Sequence, residues 1–417
     1  MKNISKSKVA IIGNMNNNGF SIMRYLRDIG VNAHLFPYSD DGVGPLDHFA
    51  PDADTWHIEK WIPYIHPTEI TDTIFSIIPN YKKVTLPPSK SYLRSVFNGF
   101  DYLIGSGIAP ALLLRINRHL DIYYPYSTGV EFLNTIPMQN LMKNASIRGK
   151  LANLYVKKKQ AIGIKKARFC LSADISQTKQ TFKKIGVDFL PYAAPMVYNR
   201  EPIDEVTLSP TIKEALRIIR NSDLSVISHA RLMWVSRKGY SKEDWSIYSK
   251  HNDWLIKEFS KFLKISNCQN PLLILLEFGS DVEETKMLIN ELDASNNVLW
   301  LPTLDRKEIM LLLNACSIGV GEFHSGSLFW GGTGWEVLAA GKPLLQSYKY
   351  TEDEFEIIYG YPPPPMLAVG TPDDILNHLI DMAEHPTKRD EMGRAAAQWF
   401  NKFNGIGLAE KWLNLLA

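Results

Sequence analysis

Two groups of residues in the second half of the chain have types and spacing suited to one chemistry. The first is Ser228-His229-Ala230-Arg231-Leu232-Met233-Trp234-Val235-Ser236-Arg237-Lys238-Gly239, where an apolar run ends in a loop carrying Arg231 and then Lys238. A guanidinium offers phosphate a planar fork and an ammonium a compact point charge, so the pair can neutralise a diphosphate. Either cation alone would be an ordinary solvated surface group. The second group is Trp330-Gly331-Gly332-Thr333-Gly334-Trp335-Glu336, which opens a helical pattern closed by Gly341-Lys342-Pro343. Glycines just before a helix leave its first N–H groups free to face an anion, and the helix dipole favours negative charge there. Glu336, inside that helix, is placed to accept hydrogen bonds from ribose hydroxyls. The predicted chemistry is recognition of a diphosphate joined to a ribose, with Arg231, Lys238, Gly331, Gly332, Thr333 and Glu336 as its carriers.

Three weaker patterns bear on the same question. Gly13-Asn14-Met15-Asn16-Asn17-Asn18-Gly19 follows an apolar run and opens a helix, but it lacks G-x-G-x-x-G spacing, and no acidic residue ends the next strand. A dinucleotide cofactor is therefore not expected. Gly19 either lets the backbone approach a phosphate or sugar closely or serves as a turn. Asp52-Ala53-Asp54 has the D-x-D form that binds hard cations, yet so short a match arises readily by chance and follows Pro51 in a loop-like stretch, so no metal is expected. Thr303 and Leu304, in the loop after Asn297–Leu301, and Glu322, in Gly321–Gly326, complete the candidate residues of this half.

A length of 417 residues exceeds what one hydrophobic core needs and suits two. The 45% hydrophobic and 22% charged content is that of an ordinary globular protein, and a net charge of +2 argues against a nucleic-acid-coating role. Cys170, Cys268 and Cys316 share no disulfide or metal-ligand spacing, which points to a reducing compartment. The first apolar run, Val9–Ile12, is too short for a signal peptide, and no run approaches the ~18 residues that span a bilayer. The expected location is the cytoplasm.

The elements that must hold these residues alternate in type. Apolar runs at 9–13, 32–37, 100–105, 121–126, 167–172 and 188–191 read as strands, with helical spacing at 20–29, 110–119 and 176–185. Pro195, Pro202 and Pro210 interrupt the rhythm over 195–222. It resumes with strands at 224–228, 272–277, 298–301, 318–321 and 343–346 and helices at 243–262, 283–291, 307–314 and 334–340. Such alternation predicts an α/β chain of two doubly wound parallel sheets, with ligands in the cleft between domains. The expected domains are 1–205, 206–404 and a C-terminal helix in 405–417 that packs back on the first.

The string from Ile227 to Leu345 resembles the C-terminal domain of retaining, nucleotide-sugar-dependent glycosyltransferases of the GT-B fold, the family-four (group 1) enzymes of bacterial polysaccharide synthesis. Arg231 and Lys238-Gly239 match that family's cations after the first strand of the domain. Glu336-Val337-Leu338-Ala339-Ala340-Gly341-Lys342-Pro343 matches its E-A-M-A-x-G-x-P string. The resemblance implies two Rossmann-like domains facing a cleft, and transfer of a sugar from a nucleotide diphosphate donor, UDP by family frequency, to a glycan or lipid-linked hydroxyl. No metal or cofactor is implied, since the donor is a substrate. Arg231, Lys238 and Glu322 would be the catalytic group, and Gly19, Thr303, Leu304, Gly331, Gly332, Thr333 and Glu336 the donor site.

The chain departs from the family twice. The first of the family's paired glutamates would fall at Leu328, leaving Glu322 as the carboxylate that could replace it. Where the family often carries a histidine, Tyr124-Pro125-Tyr126-Ser127-Thr128-Gly129 stands, making Tyr126, Ser127 and Thr128 the acceptor-side candidates. An inverting enzyme would instead need a general base, for which Glu131, His57, His66 and Asp101 are available. A sugar-nucleotide epimerase or phosphorylase, or a non-catalytic sugar- or nucleotide-binding protein, are the alternatives on this architecture.

Between Glu131 and Asp174 there is no acidic residue, while the stretch 143–168 carries Lys143, Arg148, Lys150, Lys157, Lys158, Lys159, Lys165, Lys166 and Arg168. Mixed with apolar residues, this segment suits an anionic membrane surface, which would make the protein peripheral on the inner face. It equally suits a solvated helix face.

Overall fold

A computed structural model describes residues 7–38, 50–70, 88–125, 147–172, 176–192, 196–203, 207–323 and 331–417. The first half runs β1 (Lys8–Ile12), α1 (Asn18–Asp28), β2 (Asn32–Phe36), α2 (Lys90–Phe97), β3 (Tyr102–Gly105), α3 (Ala109–Leu113), β4 (Ile122–Tyr123), α4 (Ile147–Lys166), β5 (Phe169–Cys170) and α5 (Ser176–Ile185). The second half begins α6 (Pro210–Arg220), β6 (Leu224–Ser228), α7 (Lys242–Tyr248), α8 (Asn252–Ile265), β7 (Pro271–Leu276), α9 (Val282–Glu291) and β8 (Val298–Leu301). It continues α10 (Arg306–Ala315), β9 (Ile318–Val320), α11 (Gly332–Ala339), β10 (Leu344–Ser347), α12 (Glu352–Tyr359), β11 (Leu367–Val369), α13 (Pro372–Glu384), α14 (Pro386–Phe403) and α15 (Ile406–Leu416).

The strands form two parallel sheets, of order β2-β1-β3-β4-β5 and β11-β10-β9-β6-β7-β8. Successive side chains of a strand point to opposite faces, and both faces here are buried, which is why the strands read as continuous apolar runs. Ala10 and Ile12 of β1 pack with Phe97, Leu103 and Leu112 on one face, while Val9 and Ile11 pack with Phe20, Leu26 and Ile104 on the other. The second sheet repeats the device, Val226 facing Phe259 and Leu273 and Ile227 facing Ile212, Ile274 and Trp335. Full burial of each Val, Leu, Ile or Phe among them contributes about 1.5–3 kcal/mol. Helix α15 joins the first domain, its Leu408, Ala409, Trp412 and Leu416 lying in the same cluster as Val9 and Phe20.

Each sheet reverses its direction of winding once. In the first, β1 pairs with β2 on one side and β3 on the other. In the second, β6 stands between β7 and β9. At such a switch point the loops leaving the two central strands diverge and open a crevice at their carboxyl ends.

Some predicted elements differ. The helix expected over 243–262 is two, because Ser249 is extended at ψ 140° and His251 is left-handed at φ 49°. The stretch expected to break the rhythm over 195–222 contains α6, started by the Ser209 side chain accepting from the Ile212 amide, with Pro210 in the first turn. The strand expected at 188–191 is a single bridge between Leu171 and Leu190. The helix expected over 110–119 covers only α3 and a 3-10 turn, Leu114–Ile116, ended by Asn117 at φ 60°.

Candidate functional site

At the switch point of the second sheet, β6 delivers His229 and β9 delivers Gly321 and Glu322. The backbone of Glu322 is clamped by the buried Gln346 side chain, whose Oε1 accepts from the Glu322 amide at 3.1 Å while Nε2 donates to the Glu322 carbonyl at 2.9 Å. Gly321 makes the clamp possible, since a Cβ there would lie 1.8 Å from Gln346 Oε1. The Glu322 carboxylate points at the start of α11, where a Cβ on Gly331 would sit 2.7–2.8 Å from its carboxyl atoms. Its Oε1 lies 2.6 Å from Lys250 Nζ. The break between α7 and α8 puts Lys250 there: its amide donates to the Met233 carbonyl at 2.7 Å, and Asn252 Oδ1 accepts from the Met233 amide at 3.0 Å.

Glu336 lies one turn into α11, buried, with Oε2 at 2.8 Å from His229 Nε2 and Oε1 at 2.7 Å from Arg306 Nε. Burial alone would raise its pKa, but Arg306 and His229 outweigh it and hold the carboxyl below the usual carboxylate value. The side chain is therefore an anion. The amides of Gly332 and Thr333 have no acceptor within the helix, while that of Gly334 donates to the Gly331 carbonyl at 3.2 Å, and Gly331 at the start provides no side-chain cap. Among the described residues, a Cβ on Gly332 would meet nothing within 4 Å, so they leave space open beside that turn. Thr333 Oγ1 and His229 Nδ1 are both buried without a hydrogen-bond partner among the described residues. The arrangement joins free helix-start amides, an unfilled hydroxyl and an ionised carboxylate that can accept from a diol.

The loop after β6 is braced on the turn after β7. The Leu232 amide donates to the Phe278 carbonyl at 2.8 Å and the Asp281 amide to the Leu232 carbonyl at 3.2 Å. Asp281 Oδ2 accepts from the Trp234 and Val235 amides at 2.6 and 2.8 Å. Burial would raise the Asp281 pKa, and these bonds with Ser280 and Arg237 bring it below the ordinary value. Arg231 is exposed, its guanidinium 5.8 Å from the centre of the Phe278 ring. Lys238 is exposed beside Gly239, whose φ is 101°. Thr303 donates to the Glu277 carbonyl at 3.3 Å, and Leu304 packs on the core of this domain. Among the described residues no hydrogen bond or ion pair joins Arg231 or Lys238 to Glu322, Glu336 or the start of α11. His229, Lys250 and Arg306 enter the site without having been candidates. His229 directly follows a buried strand, the one local sign that could have marked it.

The switch point of the first sheet has a small hollow, open to solvent, lined by Ile12, Gly13, Asn18, Gly19, Ser106 and Tyr124 among others. Gly19 is needed for backbone packing there, since a Cβ would lie 2.2 Å from the Gly13 carbonyl oxygen. Asn18 is 4% exposed and its Nδ2 has no partner among the described residues. Tyr126, Ser127, Thr128, Glu131 and Leu328 lie outside the described residues. Asp101 accepts from the Lys8 amide at 2.8 Å, at the opposite end of the sheet from the hollow. His66 stacks on Phe36 and bonds His34 at 2.8 Å; burial lowers its pKa. His57 Nδ1 lies 3.6 Å from the exposed Glu59. Asp54 of the D-x-D string is buried between Arg24 and Arg306, which gives its carboxylate two cations already.

No family model and no curated protein sequence matches the chain. Solved structures share its fold along nearly the whole length. The Anabaena protein Alr3699/HepE, in complex with UDP and glucose, superposes with a TM-score of 0.55 at 13% identity, covering 98% of each chain. A glycosyltransferase of Rickettsia africae gives 0.56 at 12% identity, covering 99% of each. The UDP-GlcNAc 2-epimerase of Neisseria meningitidis, bound to UDP-GlcNAc, gives 0.53 at 10% identity, covering 98% of this chain and 99% of the other. With its two parallel sheets, one per domain, the chain has the GT-B fold.

Proposed function

We propose that the protein is a glycosyltransferase that binds a nucleotide diphosphate sugar at the start of α11 and passes its sugar to an acceptor hydroxyl. The observation that carries this reading is the buried, ionised Glu336 one turn behind free helix-start amides, a pairing suited to ribose hydroxyls and diphosphate respectively. The amides around Gly331 and Gly332, with Arg231 and Lys238 on the loop after β6, would stabilise charge developing on the leaving diphosphate without a metal. The Glu322–Lys250 pair lies beside the same turn and would flank the sugar end. The acceptor would approach from the side of the first switch point, with Tyr126, Ser127 and Thr128 as the acceptor-side candidates. Retention of configuration follows if the leaving phosphate takes the acceptor proton on the same face of the sugar. UDP is favoured as the nucleotide, since the HepE structure of the same fold holds UDP.

Calorimetry with UDP and GDP, followed by assays of product release from candidate donors, tests the proposal. Arg231→Ala with unchanged affinity for both nucleotides would defeat the assignment of that loop. The epimerase of the same fold motivates a second reading. UDP-GlcNAc incubated without acceptor and followed by proton NMR separates the two, since epimerisation changes the sugar with no acceptor present. Tight nucleotide binding with neither reaction would favour a binding protein.

The acceptor would be a glycan or a lipid-linked glycan of a cell-surface polysaccharide, reached from the cytoplasmic side. Helix α4 supports contact with an anionic membrane: Leu151, Leu154 and Tyr155 are exposed together with Lys158, Lys165 and Lys166, while Val156, Gln160 and Ile164 face the core. No described helix is long and apolar enough to cross a membrane. Sedimentation with anionic vesicles should weaken as salt rises, and binding indifferent to salt would count against the electrostatic contact.

A further inference from the structure

The fork of Arg306 reaches across the cleft. Its Nε donates to Glu336 of the second domain at 2.7 Å, and its Nη1 donates to the Asn16 carbonyl at 2.8 Å and to Asp54 Oδ1 at 3.2 Å, both in the first. The surface it meets is built to stay put. Asp54 is also held by Arg24, a fully buried cation stacked over the Phe20 and Tyr198 rings at 3.9 and 4.2 Å. Asn16 and Asn17 are both left-handed, at φ 50° and 59°, a conformation that asparagine tolerates better than most residues with a side chain. The Asn14 side chain fixes it, accepting from the Phe20 amide at 2.9 Å and donating to Asn17 Oδ1 at 2.9 Å. The next residue of α10 adds a second cross-cleft contact, Lys307 Nζ donating to the Asp52 carbonyl at 3.2 Å.

We propose that Arg306 is a positioning residue that sets the orientation of the Glu336 carboxylate and the approach of the two domains together, so that closing the cleft and shaping the nucleotide site are one event. The proposal rests on the nucleotide reading only for what Glu336 binds. A guanidinium can hold three acceptors in one plane where an ammonium cannot keep the same geometry. Alternating charges run from Arg24 through Asp54 and Arg306 to Glu336, whose other oxygen bonds the His229 ring. A change at Asp54, which touches the second domain through Arg306, must therefore be felt at Glu336. Coupling between sites of this kind typically amounts to about 5- to 150-fold in affinity.

The test uses the full chain as wild type, Arg306→Met, Arg306→Lys, Asp54→Asn and the Arg306→Met/Asp54→Asn double variant. Small-angle scattering gives the radius of gyration without nucleotide, and calorimetry gives UDP affinity. Both Arg306 variants should enlarge the radius and weaken UDP binding about 10-fold. Asp54→Asn should weaken UDP binding in the same direction, and the double variant should bind as Arg306→Met does. Arg306→Lys matching wild type in both measurements would overturn the proposal. So would Arg306→Met weakening UDP while Asp54→Asn and the radius stay unchanged, since Arg306 would then act on Glu336 alone. Urea midpoints report whether each variant folds. Should Asp54→Asn fail because Arg24 loses its partner, the Lys and Met variants at the partly exposed Arg306 decide. A wild type that binds neither UDP nor GDP sinks the functional reading, and the scattering still decides the bridge: an enlarged radius supports it and an unchanged one refutes it.

Discussion

Gly331 and Gly332 are adjacent in the chain, yet alanine at each should do opposite things. At Gly331 the new Cβ would lie 2.7 Å from the Glu322 carboxyl carbon and 2.8 Å from both its oxygens. The Glu322 backbone is clamped by Gln346, so the carboxylate must swing and give up Lys250. Overpacking of this kind costs about 1–3 kcal/mol. At Gly332 the Cβ meets nothing within 4 Å among the described residues, and its φ is not in the left-handed region, so alanine is tolerated and by restricting the unfolded chain adds about 0.4–1 kcal/mol. That same open space is where the proposed diphosphate approaches the helix-start amides. A methyl there should remove at least one charge-assisted hydrogen bond, about 1.5–3 kcal/mol, or about 10- to 150-fold in UDP affinity. Urea unfolding and UDP calorimetry on both variants give four numbers. Gly331→Ala should lose stability, while Gly332→Ala keeps or gains stability and loses affinity. Gly332→Ala that binds UDP within a factor of about two of wild type would refute the placement of the diphosphate.

Further expectations concern the frame around the site. The folded-state pKa of Glu336 lies below its unfolded value, so its ionised form adds stability at pH above about 4.3 that is lost as pH falls through the folded value. The stability gap between wild type and Glu336→Gln, from urea midpoints, should be widest near neutral pH and narrow in acid; a gap independent of pH would contradict the assignment. Gly279 has φ 129° and a Cβ there would lie 2.3 Å from the Leu232 carbonyl oxygen, so Gly279→Ala should cost about 2–4 kcal/mol of stability. It should also weaken UDP binding by loosening the loop that carries Arg231. Burial pushes the thiols of Cys170 and Cys316 up to about 12, so a thiol reagent at pH 8 should modify the half-buried Cys268 first and reach the other two only on unfolding.

The order of strands and helices was legible because parallel strands buried on both faces leave uninterrupted apolar runs, as at Val9–Ile12 and Leu224–Ser228. The helix start at Gly331–Gly332, with Glu336 one turn in, was legible because glycines ahead of an apolar helical run mark such a start. What surrounds Glu336 was not. His229 is 107 residues away from it in the chain, and Arg306 is 252 residues from Asp54; no local pattern encodes pairings at that distance. Lys250 was hidden because 243–262 keeps helical spacing through the break at Ser249–His251. Ser209-Pro210 is a helix-start signal that the surrounding prolines masked. The D-x-D string illustrates the reverse case, a pattern with chemical meaning whose second member is taken up by two arginines.

Helix α15 has a consequence for how the molecule is made. Its Trp412 packs 5.1 Å from Tyr124, inside the core of a domain whose own strands end at Cys170. On a ribosome, domains generally fold in the order in which they emerge. Here the first domain to emerge must wait with part of its core uncovered until the whole second sheet has been synthesised. During that interval the hydrophobic face of α1 is an exposed surface that a chaperone would recognise, so the domain made first is the one finished last.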